Sequence, residues 1–299
     1  MTAVTEHDLK AWGEVLNDGS KPLVERYKAL KGLRHSKSDL AIDLITKCFS
    51  SKSDLLKHDL AYALGQMANE HAIKVLKDIL DNEKEAPIVR HEAGEGLAAI
   101  GHADALDILK KHSKDSNKEL AETCYLGYKR IEFFQSHKSN VPPNEFHSID
   151  PAPEFEINEK SVHDLSELLL NPKTDIFDRY RALFTLRRVA HSKGSDAGAA
   201  LTAIGKALKC PSSALFRHQV AFVIGQIANK ESIHVLEEAI GNLHELGMVR
   251  HESGEALGAI GDAKCKEILH KYLNDKEQVV KETCVVALGV ADYSASEHF

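Results

Sequence analysis

The chain carries two copies of one motif, and this duplication limits what it can fold into. Residues 91–98 (HEAGEGLA) return as residues 251–258 (HESGEALG), 251 − 91 = 160 residues later. Stretches beginning at His58 (HDLAYALGQ) and His218 (HQVAFVIGQ) show the same offset, and each precedes its partner motif by 33 residues. Such periods indicate a repeat protein, in which each unit buries its apolar face on its neighbours. We therefore expect two equivalent halves.

The repeat unit reads as a pair of helices. One apolar stripe at helical spacing consists of Leu60, Ala63, Leu64 and Met67. A turn at Asn69 and Glu70 separates it from a second stripe within residues 73–80. Runs that alternate apolar and polar residues are absent, so no sheet is expected. The pattern predicts an all-α protein, an α-solenoid of four helix pairs in each of two halves related by internal duplication.

Prolines mark the middle of the chain. Pro142, Pro143, Pro151 and Pro153 fall close together, and proline both removes a helix donor and biases its predecessor toward extended backbone. We predict an N-terminal half over residues 1–135, a proline-containing linker over 136–160 and a C-terminal half over 161–299.

Composition limits the cellular compartment and the kinds of partner that this chain is expected to have. A net charge of −7 speaks against nucleic acid as a partner. No apolar run approaches the roughly 20 residues that span a bilayer, and the polar start is not typical of a signal peptide. Five scattered cysteines without a C-x-x-C spacing favour a reducing compartment and disfavour a cysteine zinc site. We expect a cytoplasmic protein that binds neither nucleic acid nor membrane.

The four matched histidines are candidate metal ligands. Stacking of consecutive units should bring His58 beside His91 and His218 beside His251. If the two halves face each other, the four imidazoles converge on one centre. Glu92 and Glu252 follow two of these histidines, which gives two sets of two histidines and one carboxylate, the donor set of non-haem iron oxygenases. The pattern predicts a dinuclear iron centre that activates O₂.

Neighbouring residues leave alternatives open. Glu95 and Glu255 lie one helical turn after a histidine, and they are either orienting partners of the imidazoles or exposed charges. The zincin spacing H-E-x-x-H is absent because Glu95 occupies the last position, which disfavours zinc hydrolysis. The basic residues before the histidines are expected to pair with nearby acids. Histidines without a matched partner, such as His102, His112 and His244, are expected at the surface.

The matched stretches resemble deoxyhypusine hydroxylase, a family of HEAT-repeat di-iron monooxygenases. The resemblance rests on LLKHDLAYALGQ, VRHEAGEGLAAIG, ALFRHQVAFVIGQ and GMVRHESGEALGAIG, on ERYKALKGLR and DRYRALFTLR, and on the linker segment SIDPAP, and it extends over nearly the whole chain. It implies hydroxylation of a deoxyhypusine side chain on a translation factor, completing hypusine, with two Fe²⁺ ions and O₂ as co-substrate. We expect the chain to act as a monomer. The implied iron ligands are His58, His91, Glu92, His218, His251 and Glu252.

The chain departs from the family pattern at two positions. The family has four His-Glu pairs, and the two glutamates associated with substrate binding map to Asp59 and Gln219. Met248 aligns with a family methionine near the substrate. Both departures spare the implied iron ligands, so iron binding should survive while substrate affinity is altered. The alternatives are a weakened family member, a non-catalytic HEAT-type scaffold that grips a protein partner, and a dinuclear hydrolase.

Overall fold

A computed structural model describes residues 4–137, 145–146, 148–156, 159–192 and 194–296. Within these residues the chain forms sixteen α-helices and no strands, as predicted, and no helix combines the length and apolar character needed to cross a membrane. The chain divides into two compact units, residues 1–138 (unit 1) and 139–299 (unit 2). Each unit holds eight helices, the four pairs that the repeat predicts.

The helices of unit 1 are α1 (Glu6–Asn17), α2 (Leu23–Ser36), α3 (Asp39–Lys47), α4 (Asp54–Met67), α5 (Ile73–Asp81), α6 (Pro87–Ile100), α7 (Leu106–His112) and α8 (Lys118–Ser136). Those of unit 2 are α9 (Val162–Leu170), α10 (Ile176–His191), α11 (Ala197–Ala207), α12 (Ala214–Ile227), α13 (Ile233–Gly241), α14 (Gly247–Ile260), α15 (Ala263–Lys271) and α16 (Gln278–Ser296).

Local signals set the ends of the helices that matter for the site. The side chains of Ser53 and Ser213 cap α4 and α12 by accepting a backbone N–H of the first turn. Helix α6 starts with Pro87, whose missing N–H would have no partner there in any case. Gly101 and Gly261 end α6 and α14 in the left-handed region, with φ of 76° and 67°, where a side chain would be strained.

A glycine contact brings α4 and α6 together in unit 1. A Cβ on Gly65 would lie 2.5 Å from the Cα of Gly96, closer than any real Cβ contact. The two helix backbones therefore meet at this point, and Leu60, Leu64 and Leu97 are fully buried around it. Close approach here sets the spacing of the side chains further along both helices.

Buried arginines tie successive helices to one another in both units. Each donates its Nε–H to the backbone carbonyl ten residues earlier, at 2.8 to 3.0 Å; the four are Arg26, Arg90, Arg179 and Arg250. The acceptors are the carbonyls of Leu16, Leu80, Leu169 and Ile240, at or near the C-terminal ends of the preceding helices. These bonds satisfy carbonyls that a helix end leaves without an intrahelical donor.

Part of the predicted linker is an ordered component of unit 2. Pro151, Ala152, Pro153 and Phe155 are buried. Arg187, fully buried, donates to both carboxylate oxygens of Asp150 at 3.0 and 2.6 Å. Pro142 and Pro143 of the same predicted linker lie outside the described residues.

The expectation that the unmatched histidines lie at the surface is wrong for His112. Its side chain is buried, with Nε2 2.6 Å from Asp81 Oδ1 and Nδ1 3.3 Å from Asp115 Oδ2. Because one carboxylate from the end of α5 and one from the turn after α7 hold the ring, His112 serves as a packing residue of unit 1 and not as a surface charge.

Candidate metal centre

The four matched histidines occupy the same position in four helices of equal length. His58, His91, His218 and His251 are each the fifth residue of a 14-residue helix, in α4, α6, α12 and α14 respectively. All four are at least 95% buried. A histidine is seldom so deeply buried without polar partners, and equal register in four helices indicates a shared role.

In unit 1, Glu92 joins the two histidines. Its Oε2 lies 3.2 Å from His58 Nε2 and 3.5 Å from His91 Nε2, and the two imidazole rings are 6.2 Å apart. One donor atom from each of the three side chains falls within 4.8 Å of the other two, a spacing that can hold a metal ion. The close approach of Gly65 to Gly96, further along the same two helices, makes this spacing possible.

The electrostatics of this cluster favour a cation. Burial alone would lower the pKa of His58, but the charge of Glu92 and the hydrogen bonds that the ring donates to Asp59 and Glu92 outweigh it, so that this pKa lies well above its ordinary value. The two carboxylates beside His58 thus favour a positive charge at this position, which a bound metal cation would also supply.

The other ring nitrogen of each histidine in unit 1 also has a partner. Asp59 Oδ1 lies 2.7 Å from His58 Nδ1, and Thr123 Oγ1 lies 2.7 Å from His91 Nδ1. Thr123 is a site residue that the sequence pattern did not predict. A signal was present, because the motif Glu122-Thr123-Cys124 recurs as Glu282-Thr283-Cys284 at the same 160-residue offset.

In unit 2 the corresponding side chains also meet. His218 Nε2 lies 3.2 Å from Glu252 Oε2, and the rings of His218 and His251 are 5.5 Å apart. His251 Nδ1 is 3.5 Å from Glu255 Oε1, a half-buried carboxylate one turn later. Unit 2 thus places His218 beside both Glu252 and His251, and it places one predicted orienting partner next to His251.

The remaining predicted site residues have different surroundings. Glu95, the counterpart of Glu255, is half-buried, while His91 Nδ1 is bound by Thr123 instead. Gln219 is 3% exposed and Met248 is 9% exposed, both on the helices that carry the histidines of unit 2. The substrate role implied for Asp59, Gln219 and Met248 stays a prediction.

The basic residues before the histidines pair with acids, as expected. Their partners lie in the turn or loop that follows the next helix along the chain. The pairs are Lys57 with Glu85, Arg90 with Asp115 at 3.2 Å, Arg217 with Glu245 at 2.5 Å, and Arg250 with Asp275 at 2.6 Å. These cations connect neighbouring repeats, and the acids that they bind in these pairs are not the carboxylates beside the histidines.

Comparison with known proteins identifies the family. Deoxyhypusine hydroxylase of Drosophila pseudoobscura pseudoobscura is 44% identical over 296 residues, which cover 99% of this chain and 95% of that protein. The chain belongs to the deoxyhypusine hydroxylase family. The human deoxyhypusine hydroxylase is 42% identical over 296 residues, again 99% of this chain and 95% of that protein.

Other matches agree with this family. The solved structure of human deoxyhypusine hydroxylase in complex with glycerol matches with a TM-score of 0.90 at 42% identity, over 96% of this chain and 97% of that chain. HEAT repeats match residues 201–289, and the PBS lyase HEAT-like repeat matches residues 89–115. The predicted family and the all-α HEAT-type fold are confirmed, and the relatives support a role as a hydroxylating enzyme.

Proposed function

We propose that this chain hydroxylates a protein-bound deoxyhypusine side chain with O₂ at a dinuclear iron centre. The observation that carries the proposal is the cluster of unit 1, in which Glu92 Oε2 lies 3.2 and 3.5 Å from the Nε2 atoms of His58 and His91. A family member with this donor set has the residues that O₂ chemistry requires.

The donor set fits iron. Two imidazoles and one carboxylate, with further coordination positions open, are typical of non-haem Fe(II) oxygenases. Unit 2 offers the same three residue types in His218, His251 and Glu252. We infer that the six side chains together hold two Fe²⁺ ions. When bound, the two ferrous ions activate O₂ and supply the two electrons needed to put one oxygen atom into a C–H bond and reduce the other to water.

The protein's own residues prepare this chemistry in three ways. Glu92 and Glu252 balance the charge of the cations, since each carboxylate lies within 3.2 Å of an imidazole nitrogen. Burial of the four histidines excludes water from the donors, which strengthens their interaction with a cation. The two imidazoles of unit 1 would bind a metal through Nε2, since the contacts of Nδ1 keep those rings in place.

Substrate recognition is proposed for Asp59, Gln219 and Met248, the positions that match the family's substrate residues. A deoxyhypusine side chain carries amines, which are cations at neutral pH and favour carboxylate acceptors. Asp59 supplies a carboxylate, while Gln219 offers a neutral amide oxygen. The proposed protein partner is a translation factor that bears deoxyhypusine.

The test combines metal content with product mass. The full chain, loaded anaerobically with Fe²⁺, should bind two ions, and after addition of O₂ and a reductant it should raise the mass of a deoxyhypusine-bearing protein by one oxygen atom. His91→Ala should lose iron and the mass gain together. Iron-loaded protein that gives no mass gain would refute the hydroxylase.

The same experiment separates the two alternative functions. A HEAT-type scaffold without chemistry would hold no stoichiometric metal, and His91→Ala would leave its partner binding intact. A dinuclear hydrolase would bind metal but would add no atom from O₂. A single set of samples therefore distinguishes all three functions.

A further inference from the structure

Thr123 on α8 makes two hydrogen bonds that together determine where the proton of His91 lies. The Thr123 hydroxyl donates to the backbone carbonyl of Glu119 at 2.9 Å, one turn earlier. A hydroxyl has one proton to donate, and its oxygen can still accept. At 2.7 Å, Thr123 Oγ1 therefore accepts the Nδ1–H of His91. The neutral imidazole then has its lone pair at Nε2, the atom that faces Glu92.

Asp59 has the same effect on His58 through a different group. A carboxylate can only accept, so Asp59 Oδ1 at 2.7 Å takes the Nδ1–H of His58. His58 Nε2 is thereby turned toward Glu92 Oε2 at 3.2 Å. Both rings of unit 1 present the same nitrogen to the same carboxylate.

We propose that Thr123 and Asp59 are positioning residues of the metal centre. Each holds one imidazole by Nδ1, fixes its orientation and leaves Nε2 to bind the metal. The inference rests on the proposed function, because it assigns these residues a task toward the iron. It also assigns one oxygen of Asp59 to a histidine, at a position where the family's pattern has a substrate glutamate.

Unit 2 contains a matched control for Thr123. Thr283 lies 160 residues later, is equally buried, and its hydroxyl has no hydrogen-bond partner among the residues that the structure describes. Changing Thr283 to Val therefore removes the same group from an equally buried position without touching an imidazole bond. Loss of a hydroxyl without a partner should not destabilise the fold.

The decisive measurement is the dissociation constant for Fe²⁺, determined by anaerobic titration of the full chain. Loss of such an orienting partner typically weakens metal binding roughly 10- to 100-fold. We expect this loss for Thr123→Val, which preserves shape but lacks the hydroxyl. Thr123→Ser, which keeps the hydroxyl, should bind nearly as tightly as the unaltered chain, and Thr283→Val should bind with unchanged affinity.

A second readout does not depend on metal. In the metal-free chain, ¹⁵N chemical shifts of the His91 ring should show the proton on Nδ1, and Thr123→Val should abolish that preference while Thr283→Val leaves it intact. A purely structural role of Thr123 would change the melting temperature but not the proton position.

Asp59 is tested with two substitutions. Asp59→Ala removes the acceptor and should weaken Fe²⁺ binding by the same factor as Thr123→Val. Asp59→Asn keeps an oxygen that can accept the Nδ1–H and should retain most of the affinity. If Asp59→Ala left iron affinity unchanged and only raised KM for the protein substrate, Asp59 would be a substrate residue and not a positioning residue.

The outcomes separate this inference from the proposed function. If the unaltered chain binds no Fe²⁺, the proposed function fails and the positioning role fails with it. If the chain binds Fe²⁺ and Thr123→Val has the same affinity as Thr283→Val, the positioning role of Thr123 alone is refuted.

Discussion

Gly65→Ala is expected to disturb the metal centre from a distance by pushing two helices apart. The added Cβ would lie 2.5 Å from the Cα of Gly96, whereas ordinary contact begins at 3.4 Å. Helices α4 and α6 would have to move apart by about 0.9 Å to bring this contact to the ordinary distance of 3.4 Å. Neither side of this contact is a flexible side chain, so no rotamer change can relieve it.

The magnitude follows from two opposing effects. Overpacking of a well-packed core costs about 1–3 kcal/mol, and a contact between backbones belongs at the upper end of that range. Replacing glycine by alanine within a helix stabilises the helix by about 1 kcal/mol, which offsets part of that cost. We expect Gly65→Ala to lower the free energy of unfolding by about 2 kcal/mol, read from urea denaturation.

The displacement should also reach the site. His58 Nε2 on α4 and Glu92 Oε2 on α6 are 3.2 Å apart, and a metal held between them requires metal–ligand distances within about 0.2 Å of their usual values. A shift of 0.9 Å therefore exceeds the tolerance, and Fe²⁺ affinity should fall roughly tenfold or more.

Gly198→Ala serves as the control. It lies in the first turns of α11, and a Cβ there meets nothing within 4 Å, so this change should be neutral or slightly stabilising. If Gly65→Ala matched Gly198→Ala in stability and kept its iron affinity, the helix contact would not be what sets the spacing of the site.

Other changes probe the charges. The hydrogen bonds from the buried Arg250 hold the pKa of Asp275 below its ordinary value. The ionised Asp275 therefore stabilises the fold at any pH above its unfolded pKa of about 3.9, and this stabilisation is lost as the pH falls through its folded pKa. Asp275→Asn should lower the free energy of unfolding by about 3 kcal/mol at neutral pH and should reduce its dependence on pH in acid. Asp115→Asn should lower it by less, because the pair of Asp115 with Arg90 is longer and more exposed. Gln219→Glu should lower KM for the deoxyhypusine-bearing substrate without changing iron content, and unaltered KM would show that a carboxylate there is unimportant. His251→Ala should lower iron content per chain, measured by metal analysis; full iron content would exclude His251 as a ligand.

The sequence predicts the helices and their pairing well because both depend on local, periodic signals. The 33-residue spacing of His58 and His91 placed them at the same register of two neighbouring helices, and the structure brings their rings to 6.2 Å. The Ala-Ile-Gly at the end of each central motif likewise marks the glycine that ends α6 and α14. Repetition makes such features visible twice in one chain.

Contacts between side chains of different helices were harder to predict. The partner of His91 Nδ1 is Thr123, 32 residues later, and nothing in local periodicity distinguishes it from Glu95 one turn away. His112 was expected at the surface because one of its carboxylate partners, Asp81, lies 31 residues earlier in the chain. Pairing of this kind depends on how helices stack, which a helical pattern alone does not specify.

The two departures from the family's glutamates act on different parts of the proposed chemistry. One oxygen of Asp59 lies 2.7 Å from His58 Nδ1, so this side chain is engaged with a proposed metal ligand and bears on iron binding. Gln219 carries no charge, and in the proposed function its neutral amide would face the amines of the substrate. In this proposal, iron binding depends on the orientation of the imidazoles, whereas substrate binding depends on charge. An altered KM in this chain would therefore be compatible with full iron occupancy. A comparison of KM and iron content across the substitutions at positions 59 and 219 therefore separates the two effects. A measurement of total activity alone would not distinguish them.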